Sequence, residues 1–163
     1  MDNVDYIGRR YVHSVLFTNL TPDTKYRLSV HNSEGLLLKE IAYKTLPGKD
    51  ANVLKIAAGG DLGMTEEGKL MTSYLKNFDP DVIILGGDTV YDNGLRTCYY
   101  SWDLFYSMFK PVYVSLDRLV PIIMTIGNHD VGFDALDPVQ IASTMDYLPL
   151  FFVYNPQHLS KEG

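Results

Sequence analysis

A single cysteine, Cys98, stands among the 163 residues. No disulfide can close within the chain, and cysteine usage leaves its redox compartment open. Long apolar runs are missing as well. No stretch approaches the roughly 18 residues that a membrane-crossing helix needs, so no membrane partner is expected. Basic residues are scarce, 14 against 20 acidic, for a formal net charge of -6. That balance argues against nucleic acid, whose phosphates select basic faces. Residues Met1 to Arg10 are polar and charged, without the apolar stretch of a secretory signal peptide. Asn19-Leu20-Thr21 matches an N-glycosylation pattern. Such triplets are common by chance and Pro22 follows closely, so the match carries little weight.

What the chain does contain suits a globular core: 46% hydrophobic and 21% charged residues. Its length corresponds to one domain, or one domain plus part of another. It divides near Pro47-Gly48-Lys49-Asp50. Before that point the pattern is β. Tyr11 to Leu20 is rich in β-branched and aromatic residues, and Tyr26 to Val30 alternates with period two. Leu36 to Thr45 follows a turn at Asn32-Ser33-Glu34-Gly35. The spacing of Leu20, Pro22, Thr24 and Tyr26 resembles the tyrosine corner of fibronectin type III-like sandwiches, in which a tyrosine hydroxyl bonds back to nearby backbone. Three strands are too few for a whole sandwich, so residues 1–48 are expected to be part of such a module.

After Asp50, strands and helices alternate. Val53 to Ala58 and Asp81 to Leu85 read as buried strands, the β-branched run of the second suiting a sheet covered on both faces, and Pro121 to Ile126 reads as the third strand. Glu66 to Asn77 reads as a helix with Leu70, Tyr74 and Leu75 on its apolar side. Tyr99 to Phe109 reads as a second, with Trp102, Phe105, Tyr106 and Phe109 as core rather than as a binding platform. A weaker strand is expected at Leu150 to Tyr154. The order β-α-β-α-β predicts parallel strands with right-handed crossovers.

Three short loops follow the three strands: Gly60-Asp61-Leu62-Gly63, Gly87-Asp88-Thr89-Val90-Tyr91 and Gly127-Asn128-His129-Asp130. In an open parallel sheet, ligands bind outside the carboxyl ends of the strands, so the three loops are expected to share one rim. Glycines around each loop permit sharp turns and close backbone approach. A lone Gly-Asp after a strand is most often a turn. Three such motifs at three strand ends are not a chance pattern, and their carboxylate, phenol and amide oxygens are ligands for hard metals.

The set Gly-Asp-Leu-Gly, Gly-Asp-x-x-Tyr, Gly-Asn-His-Asp resembles the calcineurin-like metallophosphoesterases, and within them the purple acid phosphatase branch. Most of the superfamily has Asp-x-His in the first motif; here it is Asp61-Leu62-Gly63, with Tyr91 three residues after the second aspartate. The resemblance implies that Asp61 and Tyr91 bind a first metal, Asp88 bridges two metals and Asn128 binds the second. It implies that His129 contacts the substrate phosphate or protonates the leaving group, with Asp130 orienting it. Tyrosine has an unperturbed pKa near 10, so coordination near neutral pH calls for a strongly acidic cation. Fe(III) fits, with Zn, Mn or Fe as the second, divalent metal. The implied reaction is hydrolysis of a small phosphate monoester by attack of metal-bound hydroxide.

The resemblance makes residues 49–163 the N-terminal half of a calcineurin-like phosphoesterase domain, α/β with a βαβαβ parallel sheet, following residues 1–48 of the fibronectin type III-like module. The family's further motifs, Val-x-x-His and Gly-His-x-His, do not occur. Of the four histidines, His13 and His31 lie in the β region and His158 has no strand-like Val-x-x before it. The sequence therefore reads as a portion of a phosphatase, inactive by itself, whose parent is secreted or lysosomal/vacuolar by resemblance. Two alternatives share the motifs: a nucleotide pyrophosphatase or phosphodiesterase on the same site, and a non-catalytic metal- or partner-binding remnant.

Overall fold

The computed structural model describes residues 13, 15–91 and 100–131. Its first element pair is a hairpin. Lys25–His31 (β1) and Leu37–Lys44 (β2) pair antiparallel, Lys25 opposite Lys44 and Val30 opposite Lys39. Asn32 builds the turn: its side-chain oxygen accepts the N–H groups of Glu34 and Leu36 at 3.0 and 2.8 Å. Gly35 takes φ +80°, a conformation that a Cβ disfavours.

The tyrosine corner has the expected hydrogen bond. Tyr26 Oη accepts the Thr21 N–H at 2.9 Å, five residues upstream. The same ring stacks on Tyr43 with centroids 5.7 Å apart. Tyr26→Phe keeps that stacking and removes only the acceptor, so it is expected to cost about 1 kcal/mol or less in urea denaturation.

The strand expected at Tyr11 to Leu20 is corrected where it can be seen. Residues 15–20 form no strand, and Val15, Leu16 and Phe17 are exposed. Residues 11, 12 and 14 lie outside the described residues. β-branched composition favours a strand only if a neighbour pairs with it, and no described strand pairs with this stretch.

The α/β part runs Ile56–Gly59 (β3), Glu66–Phe78 (α1), Val82–Leu85 (β4), Tyr100–Met108 (α2), Lys110–Leu116 (α3), Ile122–Met124 (β5) and Asn128–Val131 (α4). The sheet is parallel throughout, with β4 central between β3 and β5. Its carboxyl ends therefore lie along one rim. β3 starts three residues later than the expected Val53, because pairing begins where Ile56 meets Val82. Val53 and Leu54 remain exposed. β5 is likewise shorter than Pro121 to Ile126.

The core lies on one face of this sheet. Ile83 and Leu85 cluster with Val90, Trp102, Phe105, Met108, Phe109 and Val120, all buried. Trp102, Phe105 and Phe109 are thus core as expected, while Tyr106 stays partly exposed. Burial of each large apolar side chain contributes roughly 1.5–3 kcal/mol.

Helix α1 corrects its expected face. Thr65 caps it, Oγ1 accepting the Gly68 N–H at 3.1 Å. Leu70 and Tyr74 are more than half exposed, whereas Gly68 and Thr72 are buried and Leu75 packs on the core. The reason is proximity: a Cβ on Gly68 would sit 2.7 Å from the Leu62 carbonyl oxygen and 3.2 Å from the Met108 methyl. A small residue lets the helix touch the first loop, and hydrophobicity alone does not report that. Helix α3 was not expected; Pro111 in its first turn is the signal for it.

Hairpin and α/β part meet along β2. Leu119 donates its N–H to the Ala42 carbonyl at 2.7 Å, and Lys25 pairs with Asp117 at 2.6 Å. Arg118, almost fully buried, bonds Asp79 and the Pro80 carbonyl at 2.7 and 2.8 Å. Among the described residues no helix is long and apolar enough to cross a membrane. Tyr99, the strand expected at Leu150 to Tyr154 and His158 lie outside the described residues.

Candidate metal centre

All three loops sit at the carboxyl ends of parallel strands: Asp61 two residues past β3, Asp88 three past β4 and Asn128 four past β5. Parallel pairing is what brings them together. Gly86 N–H bonds the Gly59 carbonyl at 2.7 Å and Asp61 N–H bonds the Gly87 carbonyl at 3.2 Å, carrying the β3–β4 contact into the loops. Thr125 N–H to the Leu85 carbonyl at 3.0 Å does the same between β4 and the third loop.

The backbone there is unusual. Asp61, Asp88 and Tyr91 all have φ near +50°, and Gly63 and Gly87 have φ +58° and +95°. For a tyrosine that region is an outlier, and for aspartate it is tolerated at a cost of about 1 kcal/mol or more. Such conformations persist where surrounding bonds over-determine them.

Those bonds are present. Tyr91 donates its hydroxyl to Asp61 Oδ1 at 3.1 Å, linking the first and second loops. His129 donates its backbone N–H to Asp88 Oδ1 at 2.9 Å, linking the third and second. The His129 ring stacks on Tyr91, centroids 4.6 Å apart and planes 30° off parallel. Asp130 is fully buried. Its Oδ1 accepts the N–H groups of Thr89 and Val90 at 2.9 and 3.2 Å and the Thr89 hydroxyl at 3.1 Å. Its Oδ2 accepts the Gly127 N–H at 3.1 Å. Thr89, equally buried, is the participant that sequence reasoning missed; it lies unmarked between Asp88 and Tyr91.

Asp61, Tyr91 and Asn128 are exposed and Asp88 and His129 half-buried, so the donors face an accessible rim. Asp61 and Tyr91 also line a cleft of about 640 Å³ that runs past Thr65 and Glu67 to Met71 of α1. Desolvation, the Asp61 hydrogen bond and the negative charges of Asp61, Asp88 and Asp130 together hold the Tyr91 phenol above its ordinary pKa of 10. A phenol among carboxylates is a poor anion until a cation joins it. The donor set, two carboxylates with a phenol and an amide, therefore fits a hard, highly charged metal. Among the described residues no group of three or more His, Cys, Asp or Glu side chains gathers to hold an ion. Half of this candidate set comes instead from tyrosine and asparagine.

Comparison with known proteins bears on the same stretch. The family model for calcineurin-like phosphoesterase matches residues 54–161. Purple acid phosphatase 23 of Arabidopsis thaliana is 30% identical over 74% of this chain and 31% of its own length. Probable purple acid phosphatase 20 of the same plant is 30% identical over 74% of this chain and 26% of its own. Among solved structures, purple acid phosphatase PPD1 from yellow lupin (Lupinus luteus) seeds superposes with a TM-score of 0.52 at 26% identity. That match covers 69% of this chain and 22% of the lupin protein. The chain spans less than a third of the length of these relatives.

Proposed function

The chain belongs to the calcineurin-like phosphoesterase family, and from that premise we propose that its parent is a purple acid phosphatase-like hydrolase of small phosphate monoesters. The observation that carries the reading is the meeting of Asp61, Asp88, Tyr91 and His129 on one rim through direct contacts. Asp61 and Tyr91 would hold Fe(III), Asp88 would be shared with a divalent Zn, Mn or Fe, and Asn128 would bind that second ion through its amide oxygen. When bound, such a pair supplies Lewis acidity that polarises phosphate oxygens and activates water.

The remaining work falls to side chains of this chain. His129 is held from two sides, its backbone by Asp88 and its ring by Tyr91. In that position the imidazole donates a hydrogen bond to the substrate phosphate, or a proton to the departing alcohol. Asp130, from the same motif, keeps His129 in place. The cleft beside Asp61 and Tyr91 gives a phosphate ester room to approach.

The same reading assigns residues 49–163 to the first half of the phosphoesterase domain and residues 1–48 to a fibronectin type III-like module. The Tyr26–Thr21 corner supports the second assignment. Further histidine ligands would come from elsewhere in the parent, and the compartment would be secreted or lysosomal/vacuolar, as the family resemblance implies.

The test uses protein made from the complete coding sequence and loaded with iron. Hydrolysis of para-nitrophenyl phosphate at acidic pH is expected, together with a visible phenolate-to-iron band. Tyr91→Phe is expected to abolish the band, since it removes the phenolate and leaves the stacking partner of His129. An unchanged spectrum would place the first metal elsewhere.

A further inference from the structure

We propose that Thr89 is a positioning residue for the metal centre, acting with Asp130 as a clasp that fixes Asp88 against the third loop; the inference rests on the metal-site reading above. The two loops exchange carboxylates. Asp88 of the second loop reaches across to the His129 N–H of the third, at 2.9 Å. Asp130 of the third reaches back to the Thr89 and Val90 N–H groups of the second, while its other oxygen holds Gly127 of its own loop. Each carboxylate satisfies backbone donors that the sharp turns leave without ladder partners. Asp130 is thereby committed to holding backbone, whatever else it does for His129.

Thr89 differs from the other donors because it binds Asp130 Oδ1 twice, through its N–H at 2.9 Å and its hydroxyl at 3.1 Å. Both residues are fully buried, where charge-assisted hydrogen bonds are strong and poorly replaced by water. The peptide on the N-terminal side of Thr89 belongs to Asp88, whose φ of +50° is strained. Any play at Thr89 passes through that one peptide to the Asp88 carboxylate, the group that two metals would share. Gly127 leaves no slack on the opposite side. A Cβ there would overlap both Asp88 Oδ1 and the Asp88 backbone nitrogen. The clasp thus locks the Asp88 carboxylate from two directions. Groups that orient metal ligands without touching the metal typically change affinity or activity by about 10–100-fold.

The experiment compares wild type, Thr89→Val and Thr89→Ser in protein made from the complete coding sequence and stripped of metal. Zn²⁺ affinity is read by calorimetric titration and stability by thermal unfolding. Thr89→Val keeps the shape and loses the hydroxyl; it is expected to weaken Zn²⁺ binding about tenfold and to lower the melting temperature by only a few degrees, the cost of one charge-assisted hydrogen bond. Thr89→Ser restores the hydroxyl and is expected to bind as wild type does. If Thr89→Val does not fold, Asp130→Asn carries the comparison, since it retains one acceptor oxygen but gives up the second. Wild-type affinity in the folded variant overturns the clasp and leaves the metal reading standing. Failure of the wild type itself to bind Zn²⁺ overturns the metal reading and the clasp with it.

Discussion

Asp88→Ala is expected to lower para-nitrophenyl phosphate hydrolysis by about a thousandfold or more in the full-length enzyme. Loss of a group that only orients a metal ligand costs about 10–100-fold, and loss of a carboxylate shared by two metals must exceed that. Asp88 also has a second attachment. Its Oδ1 accepts the His129 N–H, so the truncation releases the backbone that carries the proposed acid. Both effects act on the same step, and their sum is not additive. Steady-state rates on purified, iron-loaded protein check this. A loss of only a few-fold would remove Asp88 from the metal site. Circular dichroism separates the effect from unfolding, because Asp88 is only half-buried and contributes nothing to the apolar cluster.

Gly127→Ala is expected to be the most damaging single-methyl change at the site. The added Cβ would overlap Asp88 Oδ1 and Asp88 N and would lie 2.7 Å from Asp88 Cγ. One of those neighbours is backbone, so no side-chain rotation relieves the overlap. The second loop must move, and Gly87 leaves it little freedom, since a Cβ on that residue would itself meet Gly127 N at 2.7 Å. Overpacking of this kind costs about 1–3 kcal/mol and occasionally more. A value of about 3 kcal/mol is expected in urea denaturation, with metal affinity falling alongside. A Gly127→Ala protein as stable as wild type would mean the two loops are not locked together.

How much of this was legible beforehand depended on what each residue's neighbours were. The β-branched run of Asp81 to Leu85 marks a strand, and Val82 to Leu85 pairs with β3 and β5, but the expected cover on both faces is absent, since Ile84 is exposed. The aromatic stripe of α2 was legible for the same reason, since its periodicity is local. Val15 to Leu20 has similar composition and forms no strand, because composition carries no partner. On α1 the buried side is Gly68 and Thr72, chosen by closeness to Leu62 and Met108 rather than by hydrophobicity. At the site, Asp61, Asp88, Tyr91 and His129 were named from motifs, and their contacts agree with one shared rim. The bonds from Asp130 to the Thr89 and Val90 amides, and the role of Thr89, depend on a side chain crossing between loops 41 residues apart. No local pattern reports that.

Locating a bound ion decides whether the three strand-end loops hold a metal. Crystals of the full-length protein grown with iron, measured at the iron absorption edge, give an anomalous difference map that places the ion among named side chains. A peak is expected in contact with the Tyr91 phenolate and the carboxylates of Asp61 and Asp88. A peak bound by other residues, or an empty rim between β3, β4 and β5 in protein that has taken up iron, would contradict it.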